Sequence, residues 1–255
     1  MGKVIVLVGV AFASIALVGT ALANHAWGSY HWSRATNPLA LNVGDNVNGT
    51  WDPFLSEAIL DWDDSSVLNL AIVNGGKDPS TCAPTSGRIE ACNAAYGNTG
   101  WLGLAQIWVK RGHITQAITK VNDTYHSVPP YNTDAWRRLV MCQEIGHDFG
   151  LDHQDENNNN ANLGSCMDYT SDPDGPPSNE HPNTHDYDQL KSIYAHEDVG
   201  GSGGPCHGNN PNCQNRIEQA PPFSQASRSN GDLYVDELPN GGRRITHVFW
   251  TPFGE

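Results

Sequence analysis

The chain reads as an α+β fold, in which two amphipathic helices flank apolar runs of strand length and the second helix carries histidines and a carboxylate. Three observations predict it. Phe54, Leu55, Ala58, Ile59 and Trp62 recur at helical spacing behind Asp52 and Pro53, which read as an N-cap and a first-turn proline. Residues 67–73 form a nearly continuous apolar run ending at Asn74, Gly75 and Gly76, the pattern of a buried strand; 101–109 and 114–121 read as two more strands separated by 110–113. A second helix begins near Thr133 or Asp134 and presents Trp136, Val140, Gln143 and His147 on one side.

The ends of the chain set its compartment. Lys3, an apolar stretch over 4–18 and the small-residue run Ala21, Leu22, Ala23 make residues 1–23 a secretory signal peptide, with the mature chain starting at Asn24. No second apolar span follows, so no stable membrane association is expected once the leader is removed. The full chain carries 14 basic and 28 acidic residues, a net charge of −14, and losing Lys3 takes it to −15. That balance excludes nucleic acid and anionic membranes as partners. Six cysteines fit an oxidising compartment, hence a secreted, extracellular protein. Short spacings suggest the pairs Cys82 with Cys92 and Cys206 with Cys213, a cysteine metal ligand being the competing use.

Residues 199–205 are glycine-rich and read as a linker, beyond which 206–255 form a tail richer in Asn, Gln, Pro and Gly. Within it, 234–238 and 244–250 flank Asn240 and Gly241 as a β-hairpin. Two strands alone are marginal in water, so this hairpin is expected to pack on the rest of the chain or on a partner.

The most informative stretch is Gln143, Glu144, Ile145, Gly146, His147, Asp148, Phe149, Gly150, Leu151, Asp152, His153. Gln143 and His147 are four apart and share a helix face, with Glu144 beside them. Gly150 can take the left-handed conformation that ends a helix and returns His153 to the same point. Downstream lie Ser165, Cys166, Met167, Asp168 and Tyr169. Together these residues resemble the metzincin zinc proteases, matrixin-like, whose H-E-x-x-H-x-x-G-x-x-H pattern precedes a Met-turn; here Gln143 stands at the first histidine and Met167 at the turn.

The resemblance implies a metzincin-like catalytic domain over 24–198: a twisted mixed sheet of about five strands, the active-site helix, the Met-turn and a C-terminal helix near 185–196. It implies one catalytic Zn2+ held by Gln143, His147 and His153, and hydrolysis of peptide bonds by a zinc-bound water with Glu144 as general base. Tyr169 matches the tyrosine that astacins and serralysins aim at the developing oxyanion. Substrate would add as an antiparallel strand to the sheet edge at Leu102, Gly103, Leu104 and Ala105, so the partners are protein or peptide substrates of a monomeric endopeptidase. Because the Met-turn runs beneath the zinc in this fold, a Cys142–Cys166 bridge would clamp helix to turn.

Gln143 leaves the third donor open. Its amide oxygen is a weaker zinc donor than imidazole; His181 or His185 could complete the site, or a catalytically impaired metzincin-fold binding protein could remain. Asp148, Asp152 and Asp155 are candidate acceptors for the outer N–H of metal-bound imidazoles. The run Asp155, Glu156 and Asn157 to Asn160 offers oxygen ligands for Ca2+ but lacks a defined loop spacing, and reads as a polar loop. His113 and His126 fall in turns, where surface positions are expected. The fold itself requires most of 24–142, so control is expected from secretion or a separate inhibitor instead of a propeptide.

Overall fold

Residues 25–198 and 220–253 are described by the computed structural model. The leader, residues 199–205 and the Cys206 and Cys213 pair lie outside the described residues. One eight-stranded mixed sheet organises the molecule, in the order β3-β2-β4-β6-β5-β8-β7, with β1 pairing β6 off that path. Its strands are β1 (His31–Trp32), β2 (Leu39–Asn46), β3 (Leu68–Asn74), β4 (Ile89–Ala94), β5 (Trp101–Lys110), β6 (His113–Asn122), β7 (Leu233–Glu237) and β8 (Arg243–Trp250). The pairs β2–β3, β2–β4 and β4–β6 are parallel, whereas β5 runs antiparallel to both β6 and β8.

The sheet therefore exceeds the expected five strands by β1 and the β7–β8 hairpin. A free edge at β5 would present a row of unpaired N–H and C=O groups, and β8 satisfies them along its whole length. β3 also departs from expectation. It lies at the sheet edge, so Leu68 and Leu70 are buried while Ile72 is 40% exposed, and the strand is half-buried instead of buried.

Helix α1 (Asp52–Asp63) buries Phe54, Leu55, Ala58, Ile59 and Trp62, the residues its periodicity singles out. Its N-cap is Trp51, without a side-chain cap, so Asp52 is the first helical residue and not the cap. The Trp62 indole N–H donates to the Cys142 carbonyl at 3.0 Å, tying α1 to helix α3 (Asp134–Asp148). Thr133 caps α3 by accepting from the Trp136 amide at 3.3 Å. Where α3 crosses β5, a Cβ on Gly103 would fall 2.6 Å from Val140 Cγ1, so the close approach of helix to sheet requires glycine there. Helix α4 (Thr184–Ile193) starts with a capping box between Asn183 and Asp186 and buries Leu190. Disulfides join Cys82 to Cys92 and Cys142 to Cys166.

His126 closes the short helix α2 (Asp123–His126) and is 2% exposed, contrary to the surface position expected of it. Burial pushes its imidazole down to about 4, only partly offset by the Tyr131 carbonyl 3.1 Å from Nδ1. The folded chain thus refuses a proton that the unfolded chain takes up near pH 6.5. Stability from this residue is complete above that pH and falls as pH drops toward 4, by up to about 1.4 kcal/mol per pH unit. Denaturant unfolding of His126→Gln between pH 6.5 and 4.5 is expected to show a slope flatter by up to that amount; parallel slopes for variant and parent would contradict it.

Candidate metal centre

The end of α3 sets the centre. His147 lies in its last turn and is 1% exposed, with Nδ1 fixed 2.8 Å from the Leu151 carbonyl. That bond places the proton on Nδ1 and the lone pair on Nε2. Gly150 then turns the chain at φ +97°, and a Cβ there would meet the Tyr30 carbonyl oxygen at 2.2 Å. The turn brings His153 back so that its Nε2 lies 3.0 Å from His147 Nε2. His153 Nδ1 faces carboxylates instead: Asp232 at 3.3 Å, Glu156 at 3.7 Å and Asp152 at 3.9 Å.

These surroundings favour a cation between the two Nε2 atoms. Burial lowers His147 well below its ordinary value, with the neighbouring His247 and His153 acting in the same sense. Burial alone would lower His153 too, but the carboxylates of Asp232, Glu156 and Asp152 outweigh it and raise this imidazole to about 9. The Nε2 lone pair of His147 and the carboxylate-backed ring of His153 can thus share a proton or a metal ion at the common point. Two nitrogens on one tetrahedral zinc stand about 3.3 Å apart, so the observed gap is within about 0.3 Å of a shared ion. Imidazole donors with their outer nitrogens held by a carbonyl or by carboxylates are the donor set zinc takes.

Glu144 is fully buried beside β5, and neither carboxylate oxygen has a hydrogen-bond partner. A Cβ on Gly103 would lie 2.8 Å from its Oε1. Burial holds Glu144 well above the ordinary carboxylate range; His153 draws it partly back, and Asp148 and Asp232 push it further up. Gln143 is equally buried. Its Nε2 donates to the Cys166 carbonyl at 2.7 Å, while Oε1 is left without a hydrogen bond. Met167 is completely enclosed under the helix, where a Cβ on Gly146 would fall 2.6 Å from its Sδ. The Cys142–Cys166 bridge lies alongside that contact.

Two residues of the centre carry no signal in the motif. His247 of β8 is 1% exposed and pairs with Ala105; its donor nitrogen lies with those of His147 and His153 within 4.8 Å of one another. Its ring stacks on His147 (centroids 4.2 Å, 16°) and on Trp27 (4.2 Å, 10°), and its Nε2 is 3.3 Å from Asp152 Oδ1. Asp232, just before β7, accepts from the Tyr169 hydroxyl at 2.8 Å as well as facing His153. Both lie far beyond the motif in sequence, so no spacing rule reaches them. The available signal was strand alternation: Ile245, His247 and Phe249 share one face, which marks His247 as an inward histidine on an apolar face.

Other expected positions are placed differently. Leu102 to Ala105 do not form a free edge, because Gly103 pairs with Phe249, Leu104 with Val248 and Ala105 with His247. The Tyr169 hydroxyl is engaged by Asp232, and its ring stacks on Phe249 at 5.3 Å. Neither His181 nor His185 joins the centre: His181 Nδ1 bonds Asp61 at 2.7 Å, and His185 stacks on His25. Asp148 accepts from the Thr119 hydroxyl at 2.8 Å, not from an imidazole. Asp155 accepts from the Asn157 amide within its own loop at 2.7 Å.

No family model matches this chain, and no curated protein matches it. Among solved structures it is similar to one titled "Structure of myroilysin", with a TM-score of 0.34 and 11% identity, covering 65% of this chain and 97% of that one. Similarity of that degree bears on neither the chemistry nor the topology described above.

Gly150 is the hinge on which the two imidazoles meet, since any side chain there meets a backbone oxygen. Gly150→Ala is expected to destabilise the fold by more than about 2 kcal/mol in denaturant unfolding and to weaken zinc binding at least tenfold by chelator competition. Unchanged values for both would remove the hinge from the account.

Proposed function

We propose that this protein is a secreted, zinc-dependent metalloendopeptidase held closed by its own C-terminal hairpin. The observation that carries the reading is the buried pair of Nε2 atoms of His147 and His153, 3.0 Å apart, with the unbonded carboxylate of Glu144 one residue from the helix position that faces them. His147 and His153 hold the ion, and the unbonded Oε1 of Gln143 is the third protein donor. When bound, zinc lowers the pKa of a coordinated water toward neutrality and polarises a carbonyl.

The remaining work falls to the chain itself. Glu144 accepts the proton of the attacking water and passes it to the leaving amine. Its burial beneath Gly103 keeps solvent from competing for that proton. Residues 102–105 offer backbone N–H and C=O groups to an extended peptide, and β8 now occupies those groups in the antiparallel sense that a substrate strand would take. His247 rides on β8 into the donor cluster, where it competes with water and substrate for access to the ion. Tyr169, released from Asp232 when the hairpin leaves, is free to donate to a developing oxyanion.

One observation favours a second reading, a binding protein on the same framework. The hairpin is continuous with the sheet and supplies buried Tyr234, Ile245, Val248 and Phe249, so a permanently closed site is the alternative.

Hydrolysis of an unfolded protein substrate separates the two. Truncation after Asp232, which removes β7 and β8 and frees the 102–105 edge, is expected to raise zinc-dependent cleavage at least tenfold over the parent, and adding Glu144→Ala is expected to remove about 10²- to 10⁴-fold of it while zinc stays bound. A truncated protein that binds zinc and cleaves nothing would leave the binding protein as the answer.

A further inference from the structure

A second group of histidines lies apart from the centre, on the other side of β1. β1 and β6 run parallel with His31 and His113 as register partners, which places their side chains together. The chain leaving α4 then brings His196 and Asp198 to the same place. The Asp198 backbone N–H donates to the Arg34 carbonyl at 2.8 Å, and its Oδ2 accepts from the Arg34 amide at 2.9 Å. The carboxylate is therefore held at both ends, 4% exposed, with Oδ1 turned to the histidines. His31 Nε2 lies 3.5 Å from Oδ1, His196 Nε2 lies 3.3 Å from it, and His113 Nδ1 lies 4.0 Å from Oδ2.

Direct hydrogen bonding accounts poorly for this arrangement. His31 Nδ1 is 2.7 Å from the Ser29 carbonyl, so a proton sits there, and Nε2 faces the carboxylate either as a second N–H or as a lone pair that a metal ion would bridge. Neither ring nitrogen of His113 has a hydrogen bond. The 3.3 and 3.5 Å separations are long for charged N–H···O bonds, which run about 2.7–2.9 Å. They match the roughly 3.3–3.5 Å between donors that share one tetrahedral zinc at about 2.0–2.2 Å, and His113 Nδ1, 4.0 Å from Oδ2, stands about half an ångström beyond it.

The geometry points to a second zinc site, formed by His31, His113 and Asp198, whose donor atoms all lie within 4.8 Å of one another. Two imidazoles and one carboxylate make a three-donor set that leaves a fourth position to water. The ion would staple three segments far apart in sequence: the start of the described chain, the β5–β6 turn, and the residues that follow α4. The Ser29 carbonyl supplies the outer support that ligating histidines take.

Metal counting on the full-length secreted chain decides it. After chelation, reloading with zinc and desalting, the parent is expected to retain two zinc ions per chain and the double variant His147→Ala/His153→Ala one. His113→Gln, which keeps most of the side-chain volume, is expected to bind its second zinc at least tenfold more weakly. Asp198→Asn, which keeps an oxygen to accept from Arg34, is expected to do the same. Zinc should raise the thermal midpoint of His147→Ala/His153→Ala, and Asp198→Asn added to it should cancel that rise. The site is overturned if the double variant binds no zinc and its midpoint does not respond, or if His113→Gln and Asp198→Asn both retain two tightly held ions. A single ion that survives His147→Ala/His153→Ala and disappears in Asp198→Asn supports this site and refutes the peptidase reading alone.

Discussion

The structure turns on one constraint: two buried imidazole nitrogens that face each other at 3.0 Å must share a proton or a metal ion, since two bare lone pairs repel. Everything around His147 and His153 serves that requirement. The Leu151 carbonyl fixes the His147 tautomer, Asp232, Glu156 and Asp152 supply negative charge to His153, and Gly150 makes the turn short enough. A buried positive charge with no counter-charge would be costly, and the carboxylates offset that cost. Glu144 belongs to the same balance, because its unbonded oxygens become tolerable as a carboxylate only beside a cation.

The same constraint draws the C-terminal hairpin into the centre. Asp232 and His247 bracket it, and both reach the imidazole pair. Pairing of β8 with β5 then follows from backbone chemistry, since an exposed antiparallel edge is a template for any extended chain. Filling that edge with the chain's own strand protects it from aggregation and withholds it from peptides by the same hydrogen bonds. Displacing the hairpin therefore means breaking a ladder of backbone bonds and exposing Tyr234, Ile245 and Phe249 together. Such an opening is a cooperative event and not a side-chain fluctuation.

What was legible in the sequence follows from how local each signal is. Helix α1, helix α3 with its Thr133 cap, strands β5 and β6, and the turn at Gly150 all rest on periodicity or on a single residue's conformational freedom. β2 and β4 escape that reading because their alternation is diluted. Gly44, Asp45 and Asn46 end β2, and buried Glu90 interrupts β4 where Arg88, Asn46 and Thr85 satisfy it. The depth of β3 was misjudged because continuous hydrophobicity does not distinguish a central strand from one at an edge. His247 and Asp232 were out of reach for a different reason. Their place depends on which strand the hairpin joins, and no local pattern encodes that.

Gln143 can be understood from the same geometry. Its amide N–H donates to the Cys166 carbonyl, so the side chain links the helix to the turn that carries Met167. A histidine at this position has one nitrogen for that carbonyl and one for a metal, and would complete a strong three-imidazole site without help. Glutamine offers the same link but only an amide oxygen toward the ion, so the intrinsic affinity of the helix and turn is lower. With His247 close by, the difference in donor strength would let the imidazole of the hairpin dominate a bound ion while the hairpin is seated. On the proposed zinc reading, a weak ligand in the helix and a strong one on β8 would make metal retention depend on the hairpin. A histidine at 143 would uncouple the two, keeping the ion in place whichever way the strand moves.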